Sequence, residues 1–339
     1  MNLTLSEISK LMKQESPVFI VGGSRSGSSI LYRVLQRHSS FKPYNSKEKT
    51  GVDLTESKVF YNSCIACYAD NKKPLKYLLR NTDYYRKFLK QIRWIKLFQY
   101  CFFTEVLTSR IATNFNLLRP LIYKLTFNVI LLQTFFYYAK QARGMKRIIE
   151  KSPLHVYRIP EIKATFPKTK FIHIYRHPLD VYSSYKQRLK VSLENGIEKS
   201  KLTWLMLSPK DFCELYTQRI QLVLREYHSN SCQFMLIRYE DFISKPELII
   251  RQVCDFLDES YEEECIPENR NEYPEFAEEK MYPNLFGTIK KPTKKWQDYI
   301  SEADAIFIED SLSGVMNQLN YPRYTRITQK LSSAMLVAD

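Results

Sequence analysis

Glycine is scarce in this chain, with 8 residues among 339, and that excludes collagen-like and glycine-rich low-complexity architectures. Long apolar runs are missing as well. The longest, Leu125 to Ala139, contains Asn128, Gln133 and Thr134 and stops at Lys140. It falls short of the roughly 20 residues that a membrane-spanning helix needs. The opening stretch, MNLTLSEISKLMKQESP, is broken by Glu7, Lys10, Lys13 and Glu15, which does not fit a signal peptide. Seven cysteines, an odd number without regular spacing, point to reduced thiols in a cytoplasmic protein rather than to a disulfide framework. Cys64 and Cys67 make one CxxC with no second ligand pair, so buried or incidental thiols are expected there rather than zinc. No His/Asp/Glu cluster has metal-ligand spacing, and no metal is expected. No repeat of fixed period is visible.

What is present is aromatic and basic. The chain holds 24 Tyr and 20 Phe and carries a net charge of +15, spread unevenly. Residues 71–147 contain 16 Lys/Arg against Asp83 and Glu105, while residues 255–279 hold 11 acids against Arg270. One strongly basic segment and one acidic loop are therefore expected. The length suits a single elaborated domain over residues 1–339, with 71–147 as a basic, aromatic helical insert. From Tyr85 to Leu107 basic and apolar residues alternate at helical spacing, giving an amphipathic helix with a cationic face. Two readings stay open for the insert. It packs its aromatics on the core with solvated lysines outside, or it forms a platform for a membrane surface, leaving the protein cytoplasmic but peripheral to a membrane. No motif that reads nucleic acid is found.

The stretch that organises the chain is Pro17 to Leu35, PVFIVGGSRSGSSILYRVL. Its apolar, β-branched start predicts a buried strand, Gly22-Gly23 breaks it, and Ile30, Leu31, Val34 and Leu35 follow at helical spacing. A strand, a Gly/Ser turn and a helix start form a phosphate cradle, because backbone N–H groups and the helix N-terminus face the anion. The lysine of a Walker A loop is absent, since Gly27 is followed by Ser28-Ser29. Arg25 is the cation available in its place. The loop is expected to hold a phosphate-like group other than ATP.

Residues 1–16 read as a short helix that packs on the surface or frays. Beyond the insert, alternating signals predict strands at Arg147–Glu150, Lys170–Tyr175 and Gln233–Tyr239. Helical patterns cover Leu154–Phe166 (interrupted by Pro160), Pro178–Val191, Lys210–His228 and Lys245–Leu257, with a further helix around Ala303–Leu319. This alternation predicts an α/β fold whose central, mostly parallel sheet is covered by helices on both faces. The second informative stretch runs from Arg176 through His177, Pro178 and Asp180 to Ser184. Arg176 leaves the carboxyl end of a strand, the edge where such folds bind ligands. Arg176 and Ser184 could clamp a second phosphate there; the alternative is an Arg–Asp pair that caps the helix.

Together these residues resemble the 3′-phosphoadenosine 5′-phosphosulfate (PAPS)-dependent sulfotransferases. Ser24-Arg25-Ser26-Gly27-Ser28-Ser29 resembles the family's 5′-phosphosulfate loop, and Arg176 to Ser184 its 3′-phosphate site. Glu150-Lys151-Ser152-Pro153 resembles the box found in the tyrosylprotein and carbohydrate branch. Arg238-Tyr239-Glu240-Asp241 resembles the segment whose Tyr lies near the adenine. The resemblance implies PAPS as donor, with no metal. It implies Gly23 to Ser29 around the 5′-phosphate, Arg176 and Ser184 on the 3′-phosphate, and Tyr239 beside the base. Arg25 and Lys151 would neutralise charge on the bridging oxygen. Lys290, Lys295 and Trp296 stand where the cytosolic branch closes a loop over the nucleotide, though the glycines of that loop are missing.

The acceptor is a glycan, a lipid or another hydroxyl compound, and its hydroxyl needs a general base. Glu56 is the first candidate by resemblance to the tyrosylprotein branch, followed by Glu48 and His155. Two rival readings are a P-loop-like nucleotide kinase or NTPase, and a non-catalytic protein that binds membranes or polyanions through 71–147.

Overall fold

A computed structural model describes residues 3–42, 60, 128–266, 289 and 295–325. Glu48, Glu56, Cys64, Cys67, Lys290 and residues 71–127 of the insert lie outside the described residues.

The strongest strand signals become the middle of a sheet. Four strands, β1 (Val18–Gly22), β2 (Ile149–Lys151), β3 (Lys170–Tyr175) and β4 (Phe234–Arg238), pair in parallel in the order β2-β1-β3-β4. The β1 strand is buried along its whole length, because both faces of the sheet are covered. Successive side chains point to opposite faces. Phe19 and Val21 join Phe171 and Phe234 in one apolar cluster, whereas Val18 and Ile20 join Ile149, Ile172, Ile174 and Ile237 in another.

Helices α1 (Leu5–Gln14) and α3 (Asn128–Arg143) cover the first face together with α4 (Ile159–Thr165) and α6 (Pro209–Ser229). The second face is covered by α2 (Ser28–Leu35), α7 (Tyr239–Ser244) and α8 (Pro246–Leu257). A third cluster joins α5 (Pro178–Glu194) to α6, α9 (Glu302–Ser311) and α10 (Ser313–Gln318). The expected parallel α/β sheet with helices on both faces is thus the observed one.

Several expectations need correcting. The leading helix packs on the surface and does not fray: Ile8 and Met12 are buried in the first cluster while Lys10, Leu11 and Lys13 stay exposed, and Thr4 closes a capping box with Glu7. The strand expected at 147–150 lies at 149–151, because Arg147 turns away to bond the Ser16 carbonyl and Glu259. The pattern at 154–166 divides into a 3-10 turn, Pro153–Arg158, and α4, with Pro160 in the first turn of α4, where its missing N–H costs nothing. The tail forms two short helices rather than one. Part of the acidic segment is structural, since Glu259 and Glu262 accept bonds from Ser40 and Ser39. The four described cysteines are free, and Cys213, Cys254 and Cys265 are buried.

Candidate active site

The carboxyl ends of the four strands bring the sequence motifs to one edge. After β1 the chain turns through Gly23 to Gly27 and enters α2 at Ser28. Positive φ occurs at the last residue of β1, Gly22 (140°), and twice within the turn, at Arg25 (70°) and Gly27 (99°). Arg25 pays the cost that a side chain incurs there, a strain typical of functional loops. Gly27 is constrained twice, because a Cβ added to it would run into the Tyr239 ring. Gly27 is also the N-cap of α2, and among the described residues no side chain caps that end. The first turn of α2 holds no acid. Its N–H groups thus meet no capping side chain, which suits an anion.

Arg25 Nε donates to Ser184 Oγ at 3.0 Å. This bond ties the loop to α5 across 159 residues and unites the two motifs that the sequence placed on separate phosphates. The Arg176 guanidinium lies over the Tyr239 ring, 4.5 Å from its centre, a cation–π contact. Arg176 Nε is buried and has no hydrogen-bond partner among the described residues. An orphaned buried donor of this kind fits a bound phosphate oxygen. Burial raises the Tyr239 hydroxyl, and the Arg176 charge offsets part of that rise. Burial raises Asp180 too, again against Arg176. The α5 cap itself is the His177 side chain, which accepts from Leu179 N–H.

Lys151 ends β2 in register with Ile20 and is buried. By alternation it shares the face of Ile149, towards α2. Glu150 points the other way. It accepts from Ser152 and lies 2.9 Å from His155 Nδ1, while His155 Nε2 meets the Phe60 amide at 3.4 Å. His155 is fully buried, and both of its nitrogens are engaged. Trp296 is buried in the third cluster and Lys295 beside it is exposed.

The sequence reading missed the support behind Arg176. Glu240 accepts from the His177 N–H at 3.0 Å and from the Tyr321 hydroxyl at 2.7 Å. The His177 ring stacks on Tyr324 at 3.7 Å and bonds the Pro322 carbonyl. Buried Glu309 holds the backbone N–H groups of Tyr324 and Thr325. The segment 321–325 thereby straps the ends of β3 and β4. Only the Glu240 contact had a local signal, its place in the Arg238–Asp241 motif; the rest joins residues far apart in the chain.

Burial holds both the His173 and the His177 imidazoles down to about 4, from 6.5. Between those values the unfolded chain binds more protons than the folded one. The stability that depends on neutral rings is complete above pH 6.5 and is lost as the pH falls towards 4. With two such rings, on the order of 3 kcal/mol should be gone by about pH 5. Thermal melts across that range should show a steady fall, and a flat profile would contradict the buried, neutral assignment.

Among the described residues no group of His, Cys, Asp and Glu could hold a metal ion, and no helix is long and apolar enough to cross a membrane.

Comparison with known proteins fits this geometry. A family model described as the sulfotransferase family matches residues 112–263, which include the Lys151, Arg176–Ser184 and Tyr239 segments. Omega-hydroxy-beta-dihydromenaquinone-9 sulfotransferases of Mycobacterium bovis and Mycobacterium tuberculosis are 30% identical over 132 residues. That match covers 37% of this chain and 32% of each relative, so the chain spans about a third of the length of the curated relatives it matches. A sulfotransferase of Mycobacterium avium superposes with a TM-score of 0.49 at 12% identity, covering 93% of this chain and 80% of that one. A retinol dehydratase in complex with androsterone and the inactive cofactor PAP gives 0.44 at 15% identity, over 92% and 85%.

Proposed function

We propose that this chain, a sulfotransferase-family protein by its match over residues 112–263, moves a sulfuryl group from PAPS to the hydroxyl of an acceptor. What supports the reading is a pair of anion-compatible features that meet at one sheet edge. One is the uncapped loop and α2 start; the other is Arg176 stacked on Tyr239, and Arg25 bonded to Ser184 links the two. A single phosphate needs one cradle, whereas a 3′,5′-bisphosphorylated nucleotide needs both.

The donor supplies an activated sulfuryl group on its 5′-phosphate. In the transfer, the bond between sulfur and acceptor oxygen forms as the bond from sulfur to the phosphate oxygen breaks, and the acceptor's proton leaves to a base. Catalysis then rests on position and charge. Backbone N–H groups of Gly23 to Ser29 orient the 5′-phosphate. Arg25 and buried Lys151 offset the charge that grows on the oxygen losing sulfur. Arg176 and Ser184 hold the 3′-phosphate, and Tyr239 sits beside the adenine. Lys290, Lys295 or Trp296 covers the nucleotide. Glu56 is the base that the sequence offers. In the M. bovis and M. tuberculosis relatives the named acceptor carries an omega-hydroxyl, the group type proposed here. The cytoplasmic side of a membrane is the proposed setting, with 71–147 as the surface contact.

Transfer of sulfur-35 from labelled PAPS to extracted hydroxyl compounds, without added magnesium, tests the reading. Label should appear in an acceptor fraction. Magnesium-dependent ATP hydrolysis with no sulfuryl transfer would favour the kinase or NTPase alternative.

A further inference from the structure

Glu240 is an acid at an edge read as an anion site, and it follows the tyrosine on which Arg176 stacks. A negative group there opposes an anionic ligand, so its presence calls for an explanation.

The explanation lies in the peptide bond between Arg176 and His177. The carbonyl of that bond accepts from the Tyr216 hydroxyl of α6 at 2.8 Å. Its N–H donates to Glu240 Oε1 at 3.0 Å. A peptide unit is planar, so two bonds on opposite sides fix the plane and the direction in which the Arg176 side chain leaves the strand. The guanidinium at the far end rests over the Tyr239 ring. Two consecutive residues of α7 thus hold Arg176 at both ends, the ring its charge and the carboxylate its backbone.

Glu240 is held in turn. Its other oxygen, Oε2, accepts from the Tyr321 hydroxyl at 2.7 Å and lies 3.5 Å from Arg238 Nε. The Arg238 guanidinium also covers the Tyr321 ring, 4.5 Å from its centre, and its charge offsets that of the carboxylate. His177 joins the same strap. Its Nε2 donates to the Pro322 carbonyl at 3.0 Å while Nδ1 accepts from Leu179 N–H, which only the neutral Nε2–H ring can do. The strap is anchored by buried Glu309 through Tyr324 N–H.

We propose that Glu240 is a positioning residue for Arg176 and Tyr321 its clasp, so that the strap at 321–325 sets the selectivity for a nucleotide with a 3′-phosphate over one without it. This rests on the sulfotransferase reading, which puts the 3′-phosphate on Arg176. A free arginine side chain loses much conformational freedom when it grips a phosphate. One whose backbone and charge are already fixed loses less, and the gain appears only in ligands that carry the 3′-phosphate.

The test is calorimetric titration of 3′-phosphoadenosine 5′-phosphate and of adenosine 5′-monophosphate into full-length protein. Tyr321→Phe keeps the ring against Arg238 and His177 and removes only the hydroxyl. It should weaken the bisphosphate about threefold and leave the monophosphate unchanged. Glu240→Ala should weaken the bisphosphate about tenfold. Glu240→Gln keeps an acceptor for the His177 N–H and should recover part of that loss. Because both residues act through Arg176, neither substitution should cost anything further in the Arg176→Ala background. A residue that only holds the fold together would weaken both nucleotides, in either background. Equal losses for the two nucleotides, no loss at all, or an undiminished loss on top of Arg176→Ala overturns the inference while the second phosphate site stands. Where Glu240→Ala fails to fold, Tyr321→Phe decides between these outcomes. An Arg176→Ala protein that loses both nucleotides equally overturns instead the reading beneath.

Discussion

Arg176→Ala should weaken binding of 3′-phosphoadenosine 5′-phosphate by on the order of 100-fold while hardly changing the affinity for adenosine 5′-monophosphate. The guanidinium is held by its stacking on Tyr239 and by the strand end behind it, so it is organised before a ligand arrives. A charge-assisted bond from a pre-organised, partly buried arginine to phosphate contributes roughly 2–4 kcal/mol when its partner is left buried without it. The selectivity is the informative part, since only a 3′-phosphate role separates the two nucleotides. Calorimetric titration of both ligands into native and variant protein measures it. Equal losses for the two would refute the assignment of Arg176 to the second phosphate.

Gly27→Ala should be nearly as severe, through a different cause. Its φ of 99° is strained for any residue with a Cβ, by roughly 1–2 kcal/mol. The new methyl would also collide with the Tyr239 ring. The loop must shift or the ring must move, and either change disturbs a cradle. A loss of at least about tenfold in nucleotide affinity and a lower melting temperature are expected. The Tyr239→Ala background separates the two causes: the buried ring's loss lowers the melting temperature by itself, but adding Gly27→Ala there should lower it by less than it does in native protein, because only the backbone strain remains. An equal drop in both backgrounds would show that Tyr239 does not constrain the loop.

Much of this arrangement was legible before any coordinates, and the reason is local. The phosphate loop, the Pro178 helix start and the Lys170–Tyr175 strand each announce themselves within a few residues, through β-branched runs, glycine and proline. The parallel sheet followed from their alternation. What could not be read depends on partners far apart in sequence. Because β1 is buried along its whole length, nothing in its apolar run says which residues face α1 and which face α2. How deeply the leading helix packs is equally silent in the sequence, and it is Ile8 and Met12 that anchor it in the core. The Arg25–Ser184 bond and the strap at 321–325 arise only when the loop after β1 meets α5 and the chain beyond α10 meets the ends of β3 and β4. His155 is the complementary case: its partner Glu150, itself bonded by Ser152, is close in sequence, but the burial of the ring is set by residues far away.

The account stands on one ligand. Calorimetric titration of 3′-phosphoadenosine 5′-phosphate into the full chain, in a metal-free buffer, should give one site with a dissociation constant in the low-micromolar range, about −8 kcal/mol. Absence of heat and of competition at millimolar nucleotide would contradict the two-cradle reading.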